Sequence, residues 1–358
     1  MKQLIALFIL FASVDNLFGQ SPSVSNFIDS FAKKNNFNGT ILLEKKSKIS
    51  YQKSFGLANF QFRVSNTNET KYKIASITKW FTSVLIMQLY EQGKVDVTKH
   101  IKDYLPGYRG EGGDKVTLHQ LLNHTSGMVN IDTVKSIESA LKNGVPVYQK
   151  PLTTDELLNN FCSDKLVNEP GKVFDYNNAE YIILGKIIEK IYNKPYEKIV
   201  TENILYPLKM KNTGLLYQQN IINGLADTYF YRDDIKKLVP DLPVYIENWY
   251  AAGSMYSTTN DLSLFINALF GLKLLKQETL NKMFTPGLDQ YGYGVWVHET
   301  YEINNKKFKV IKRPGQIMGA QSMLFHIIED GSTIIILSNT GTTSLDDFAA
   351  EIAKKIIR

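Results

Sequence analysis

From Ser76 to Gln92 the apolar residues Ile77, Trp80, Phe81, Val84, Leu85 and Leu89 recur at the spacing of one helix face. Gly93 follows where such a helix should stop, because glycine takes up the left-handed backbone of a helix end at little cost. The same periodicity predicts helices over 117–123, 154–162 and 179–192, the last halted by Asn193 and Pro195. Elsewhere the period is two. The segment 38–56 reads as a hairpin, with Thr40 to Leu43, a charged turn from Lys45 to Lys48, and a return from Ile49 to Tyr51. Late in the chain, strands are predicted over Tyr291–Tyr301 and Lys306–Lys312 about Asn304-Asn305. Two more, Ser322–Ile328 and Ser332–Ser338, flank Asp330-Gly331, a strong hairpin signal. A last helix carries the stripe Leu345, Phe348, Ile352 and Ile356.

Strands near the start, helices in the middle, then strands and a helix predict an α+β fold. An antiparallel sheet flanked by helices is interrupted by a mostly helical insertion. Residues 21–75 and 220–358 are expected to form the sheet-bearing part and residues 76–219 the mainly helical part of one domain. A cleft between the two parts is the natural place for a ligand. The first stretch stands apart. Lys2 precedes an apolar run from Leu4 to Ala12, and small and polar residues follow around Gly19. Residues 1–20 therefore read as a secretory signal peptide, whose apolar run is too short to span a bilayer. They predict a periplasmic or secreted protein with no stable membrane span in its mature form.

Composition narrows the function classes. An apolar share of 44% is ample for a core, and the formal charge of +6 is scattered along the chain. Mild basicity of that kind suits anionic substrates or wall polymers but is no nucleic-acid footprint. The single cysteine, Cys162, excludes an internal disulfide and reads as a small buried hydrophobe. The five histidines show no metal-ligand spacing, so neither a metal nor any other cofactor is implied.

Ser-x-x-Lys occurs four times, as Ser30/Lys33, Ser50/Lys53, Ser76/Lys79 and Ser139/Lys142, and context must choose among them. Only Ser76 opens an apolar helix, flanked by Ile74-Ala75 and Trp80-Phe81. There, residues three apart share a face, the helix start favours developing negative charge, and burial can lower a lysine to a useful base. A serine hydroxyl needs such a base to become a nucleophile. A second constellation, Asp175-Tyr176-Asn177-Asn178, precedes the 179–192 helix. Tyr176 could relay protons beside Lys79, and Asn178 could meet a substrate amide. By itself the segment equally resembles a helix-capping loop. A third, Arg313-Pro314-Gly315-Gln316, follows a strand. A cation on a strand edge beside a glycine suits a carboxylate-binding wall, although an ordinary hairpin turn fits as well. His119, His124 and Ser126 tempt a triad reading, but the two histidines fall on different helix faces. The chain also lacks the Gly-x-Ser-x-Gly elbow of α/β-hydrolases.

In order and separation the three constellations resemble the serine β-lactamase and penicillin-binding protein superfamily. The Tyr176-Asn177-Asn178 motif makes the chain most similar to its class C β-lactamase-like branch, with D-alanyl-D-alanine carboxypeptidases, D-aminopeptidases and family VIII esterases. Asp103 to Pro106, Thr117 to Gly127, Ala252 to Leu262 and Tyr291 to Gly294 resemble that branch too, so the likeness runs from about residue 27 to 341.

The resemblance implies a β-lactamase/transpeptidase-like fold and an acyl-enzyme on Ser76. Lys79 and Tyr176 would share the proton work, Asn178 would contact the substrate amide, and Arg313, Gly315 and Gln316 would line the substrate site. The backbone N–H groups of Ser76 and Gln316 would form the oxyanion hole. The family's third motif is usually Lys-Thr-Gly or His-x-Gly. Arg313-Pro314-Gly315 keeps the charge but changes the pocket, which puts efficient antibiotic cleavage in question. The expected substrate is a β-lactam or a D-Ala-D-Ala-type peptide, a small molecule or cell-wall peptide. The alternatives are an esterase or D-aminopeptidase and, from another class, a catalytically silent peptidoglycan-binding module.

Overall fold

The computed structural model of the protein describes residues 22–134 and 136–357. The predicted leader, residues 1–20, lies outside them.

Six strands form the main sheet: β1 (Gly39–Lys45), β2 (Lys48–Phe55), β3 (Trp296–Ile303), β4 (Lys306–Ile317), β5 (Ala320–Ile327) and β6 (Ser332–Ser338). Their order is β3-β4-β5-β6-β1-β2, and every pairing is antiparallel. The first hairpin of the chain is thus joined to its last strand, with Gly39 opposite Ser338. Two-residue turns close three of the hairpins, at Lys46-Ser47, Asn304-Asn305 and Met318-Gly319. Lys46 and Ser47 have φ of 48° and 64°, and Asn304 and Asn305 have φ of 50° and 61°. A primed turn needs both central residues there. The β5–β6 hairpin differs from expectation. β5 ends at Ile327 and β6 begins at Ser332, so Asp330-Gly331 lies inside a four-residue loop, 328–331.

Two strand boundaries also move. The strand expected from Tyr291 begins at Trp296, because the chain first turns through Gly292 and Gly294, the latter at φ 82°. Its partner, expected to end at Lys312, continues through Arg313 to Ile317.

Helices cover both faces of the sheet. On one, α1 (Pro22–Lys34) and α5 (Leu345–Ile356) pack Ile28, Phe348 and Ile352 against Ile41, Leu43, Phe325, Ile334 and Ile336. On the other, Leu42, Leu324, Ile335 and Leu337 join the larger core that holds α2 (Thr78–Glu91), α3 (Asn178–Tyr192) and α4 (Thr259–Phe270). This double cover explains the unbroken aliphatic run of β6, where a one-sided sheet would alternate. The helices expected over 117–123 and 154–162 are Leu118–Leu122 and Thr154–Phe161, each started by a capping box from Thr117 or Thr153.

The helix that matters most is α2. It is buried nearly all round, with Trp80, Phe81, Val84, Leu85 and Leu89 inaccessible and the Phe81 ring stacked on Phe265 of α4 at 4.1 Å. A helix apolar on every side belongs inside a core. That fixes the position of whatever its first turn carries. A short sheet of Tyr72–Lys73, Met255–Ser257 and Gly214–Leu215 leads the chain into that turn.

Candidate active site

Ser76 sits in a 3-10 turn, Ala75–Ile77, that runs directly into α2. Ala75 before it takes a left-handed φ of 47°, a conformation that costs an alanine energy and that the surrounding packing must hold. One turn further in, Lys79 is fully buried, and its Nζ lies 3.2 Å from Ser76 Oγ. The ammonium also donates to Asn178 Oδ1 at 2.6 Å and to the Ala252 carbonyl at 2.9 Å. From the other side the Tyr176 hydroxyl donates to Ser76 Oγ at 2.8 Å. Residues a hundred positions apart thus converge on one hydroxyl.

The loop before α3 is held as the capping reading expects and also serves the site. Asn177 caps α3 by accepting from the Ala179 N–H at 3.0 Å, and the Asn130 amide donates to the Tyr176 carbonyl at 2.8 Å. With Asn177 turned into the fold, Tyr176 and Asn178 on either side reach the serine and the lysine. Capping and chemistry use different residues of the same three.

Arg313 departs from expectation. Its segment does run along an open edge, because β3 pairs β4 only as far as Lys312. The side chain, however, points inward and is fully buried. Its Nε donates to the Ser76 carbonyl at 2.7 Å, Nη1 to the Tyr291 hydroxyl at 2.9 Å and Nη2 to the Tyr176 hydroxyl at 2.5 Å. The rings of Tyr176, Tyr291 and Trp296 surround it at 5.3–5.9 Å. A guanidinium caged in this way is a fixed cation behind the phenol, and it offers no open fork to a substrate carboxylate.

Gly315 has a similar correction. A Cβ there would come within 2.4 Å of Ser322 Oγ, 2.6 Å of the Ile74 carbonyl and 2.9 Å of Ser76 N. The glycine lets β4 press against the nucleophile's own backbone, where the sequence suggested room for a substrate. Pro314 is tolerated because this stretch has no partner on that side and needs no N–H there. Gln316, the next residue, lines the cleft beside Ser76.

The electrostatics follow from burial and from the two cations. Burial, reinforced by Arg313 and opposed by Tyr176 and Asp132, brings Lys79 down to about 8. Burial alone would raise the Tyr176 phenol, but the Arg313 and Lys79 charges outweigh it and hold it below its ordinary value. Both groups are thereby easier to deprotonate near neutrality, as a general base requires. Behind Tyr176, at 4.3 Å between ring centres, lies His124. Its Nδ1 accepts from the Asn177 N–H at 3.3 Å and also meets Glu180 Oε2 in a short hydrogen bond. Burial, with Lys79 and Arg313 nearby, pushes His124 well down, and burial pushes Glu180 well up. The pair is therefore neutral, with Glu180 the donor. His124 is committed to Glu180, Ser126 Oγ accepts from the Met128 N–H, and no triad forms among them. Burial likewise raises the Cys162 thiol and keeps it inert.

Two cavities meet at Ser76. One, of about 300 Å3, is bounded by Ile131, Asp132, Val145, Tyr148, Asn178 and Trp249. The other, of about 390 Å3, is bounded by Trp296, Pro314, Gln321 and Asp346. Asp132 carries no periodic or motif signal in the sequence, yet it joins the network by accepting from Asn178 Nδ2 at 2.7 Å. Trp296 was visible only as part of a predicted strand, and Tyr291 only as part of that strand and of a segment that resembles the family.

A family model described as Beta-lactamase matches residues 24–356. Penicillin-binding protein 4* of Bacillus subtilis (strain 168) is 26% identical over 342 residues, 88% of this chain and 71% of that protein. The teichoic acid D-alanine hydrolase of Staphylococcus aureus is 25% identical over 287 residues, 78% of this chain and 68% of that one. Among solved structures, the octameric penicillin-binding protein homologue from Pyrococcus abyssi superposes with a TM-score of 0.77 at 25% identity, covering 94% of this chain and 76% of its own.

Proposed function

The chain belongs to the Beta-lactamase family of serine hydrolases, and from that premise we propose that it cleaves ester or amide bonds through an acyl intermediate on Ser76. One observation carries the reading. Ser76 Oγ stands 3.2 Å from an amine and 2.8 Å from a phenol that are both tuned toward their basic forms.

In the first half-reaction Ser76 Oγ attacks the carbonyl carbon while its proton passes to the Tyr176–Lys79 pair. The developing oxyanion meets the backbone N–H groups of Ser76 and Gln316, a device worth on the order of 3 kcal/mol per donor. The pair then gives the proton to the leaving oxygen or nitrogen as its bond to carbon breaks. In the second half-reaction a water attacks the ester, its proton goes to the same pair, and Ser76 Oγ recovers a proton as the acid departs. Arg313 takes part through Tyr176, whose oxygen it holds at 2.5 Å.

The substrate class shifts with Arg313. The guanidinium is committed to three protein oxygens, and among the described residues no lysine or arginine lines either cavity beside Ser76. Esters and amides that bear no carboxylate beside the scissile bond therefore lead. β-Lactams and D-Ala-D-Ala-type peptides stand second, supported by the relatives named as penicillin-binding proteins. A silent wall-binding module is disfavoured because Ser76, Lys79 and Tyr176 lie within hydrogen-bonding range of one another or of a shared partner. Residues 1–20, as a secretory signal, would place the reaction outside the cytoplasm.

Intact-mass spectrometry tests the chemistry. The wild-type protein should gain one adduct from a fluorophosphonate probe, and Ser76→Ala should gain none. No adduct from either the fluorophosphonate or penicillin, or an adduct that survives in Ser76→Ala, would remove the proposal.

A further inference from the structure

Among the described residues, one charged side chain lines the smaller cavity beside Ser76, and the acyl-transfer reading gives it no task. Asp132 is half-buried in that wall. Its Oδ2 accepts from Asn178 Nδ2 at 2.7 Å and its Oδ1 from the Tyr148 hydroxyl at 2.6 Å. Tyr148 is in turn stacked flat on Trp249 at 3.5 Å. The carboxylate is thus held in one orientation by a rigid aromatic pair and by the asparagine that touches the catalytic lysine. Much of the remaining wall is apolar, with Ile131, Val145, Val147 and Met318. Among the described residues no lysine or arginine lines this cavity.

A fixed carboxylate in a largely apolar pocket is costly without a directly contacting counter-charge, and Lys79 acts on it only across Asn178. Each of its oxygens uses one acceptor position on the protein and keeps another free, which suits the three N–H donors of an ammonium group. Its place relative to the reacting atom is also suitable. Asn178 spans the gap between Asp132 and Lys79, and Lys79 is 3.2 Å from Ser76 Oγ. Ser76 and Asp132 line the same cavity, and an α-ammonium stands two bonds from the carbonyl carbon that Ser76 would attack, so one small substrate can face both.

We propose that Asp132 is the recognition site for a free α-ammonium on the acyl part of the substrate, so that the preferred substrates are aminoacyl esters or amides. The inference rests on the acyl-serine reading of Ser76. The side chain of the amino acid lies against the apolar wall, which favours a small or apolar residue. The leaving group extends into the larger cavity toward Trp296 and Asp346.

The methyl esters of D-alanine and L-alanine, compared with methyl isobutyrate, test it. The isobutyrate replaces the ammonium by a methyl group of similar size. Turnover of the purified full chain is followed at about pH 7, where the amine of such an ester is still substantially protonated. Wild type should favour at least one alanine ester over the isobutyrate. Asp132→Asn keeps an acceptor for Asn178 and a polar partner for Tyr148 but removes the charge. It should lower the alanine-to-isobutyrate ratio of kcat/KM by about tenfold to a hundredfold, as expected for loss of a charge-assisted bond, chiefly through KM. A ratio unchanged in Asp132→Asn, or a wild-type preference for the isobutyrate, overturns the assignment. Ser76 that labels with a fluorophosphonate while neither alanine ester is turned over also overturns it and leaves the acyl-serine reading standing. Absence of both labelling and turnover removes the two together.

Discussion

Removing the charge of Arg313 should move the pH at which the enzyme switches on. The guanidinium donates to the Tyr176 oxygen at 2.5 Å, which puts its charge centre roughly 4 Å from that oxygen. At that separation and an effective dielectric of about 20, a unit charge favours the phenolate by about 4 kcal/mol. Divided by 1.36 kcal/mol per pH unit, that is about 3 units as an upper bound, and relaxation around the cavity should reduce it to one or two. The same cation also lowers Lys79, now at about 8. Loss of the charge raises both groups, so the base form appears later as pH rises and the acidic limb of kcat/KM moves up.

Arg313→Met is the perturbation and Arg313→Lys the control, which keeps the charge and loses the fork. The assay is a kcat/KM profile on p-nitrophenyl acetate from pH 5 to 10, accompanied by a urea transition for each variant. Arg313→Met leaves the Ser76 carbonyl and the Tyr291 hydroxyl without their partner, a loss of about 1–3 kcal/mol that the urea curve should register. The limb should rise by one to two units in Arg313→Met and by less than about half a unit in Arg313→Lys. A folded Arg313→Met whose limb stays in place or moves down would refute the argument.

Two further outcomes follow from the same geometry. Glu180→Gln should keep the hydrogen bond to His124, because an amide N–H can replace the carboxyl O–H. Glu180 is raised above its ordinary 4.5, so as pH climbs past that value the unfolded chain loses its proton while the native chain retains it. Wild-type stability then falls with rising pH by up to about 1.4 kcal/mol per unit from this group, and Glu180→Gln escapes that slope. Urea midpoints of the variant should gain on wild type between pH 5 and 8, whereas a constant gap would show that the His124–Glu180 pair holds no proton in the native chain and refute the argument. Gly315→Ala should destabilise by about 1–3 kcal/mol and lower kcat, since its Cβ would collide with Ile74 O and Ser76 N at 2.6 and 2.9 Å. Unchanged urea stability together with unchanged kcat would show that β4 does not bear on the nucleophile.

Much of the fold was written in periodicity. The hairpin turns at Lys46-Ser47 and Asn304-Asn305, the stop at Gly93 and the left-handed Asn193 closing α3 are all local signals, and local signals survive folding. What failed is of two kinds, a local turn absorbed into a strand and contacts that only the fold creates. The strand start at Tyr291 gave way because Gly292 and Gly294 turn the chain before the ladder begins. α1 and α4 lie outside the helices that the sequence predicts, although Ile28 and Phe265 are fully buried. In the site, Ser76, Lys79, Tyr176 and Asn178 were legible because each belongs to a short motif of fixed spacing. Arg313 was legible as a cation but not as a buried one, since its neighbours Lys312 and Pro314 suggest a surface turn. Only the cage of Tyr176, Tyr291 and Trp296 reveals its place. Asp132 was invisible, because a loop residue acquires meaning only from what the fold brings opposite it.

β4 has partners on both sides only from Val310 to Lys312, and from Arg313 onward it keeps β5 alone and turns a bare rim to the site. The lip of the cleft that must never drift is therefore an extension of the stiffest part of the molecule. The opposite lip, residues 131–134 and 136–148, is built of loops and short helical turns. Such a division lets descendants of this protein remodel what they accept by editing the soft lip, while the reaction itself stays in tune.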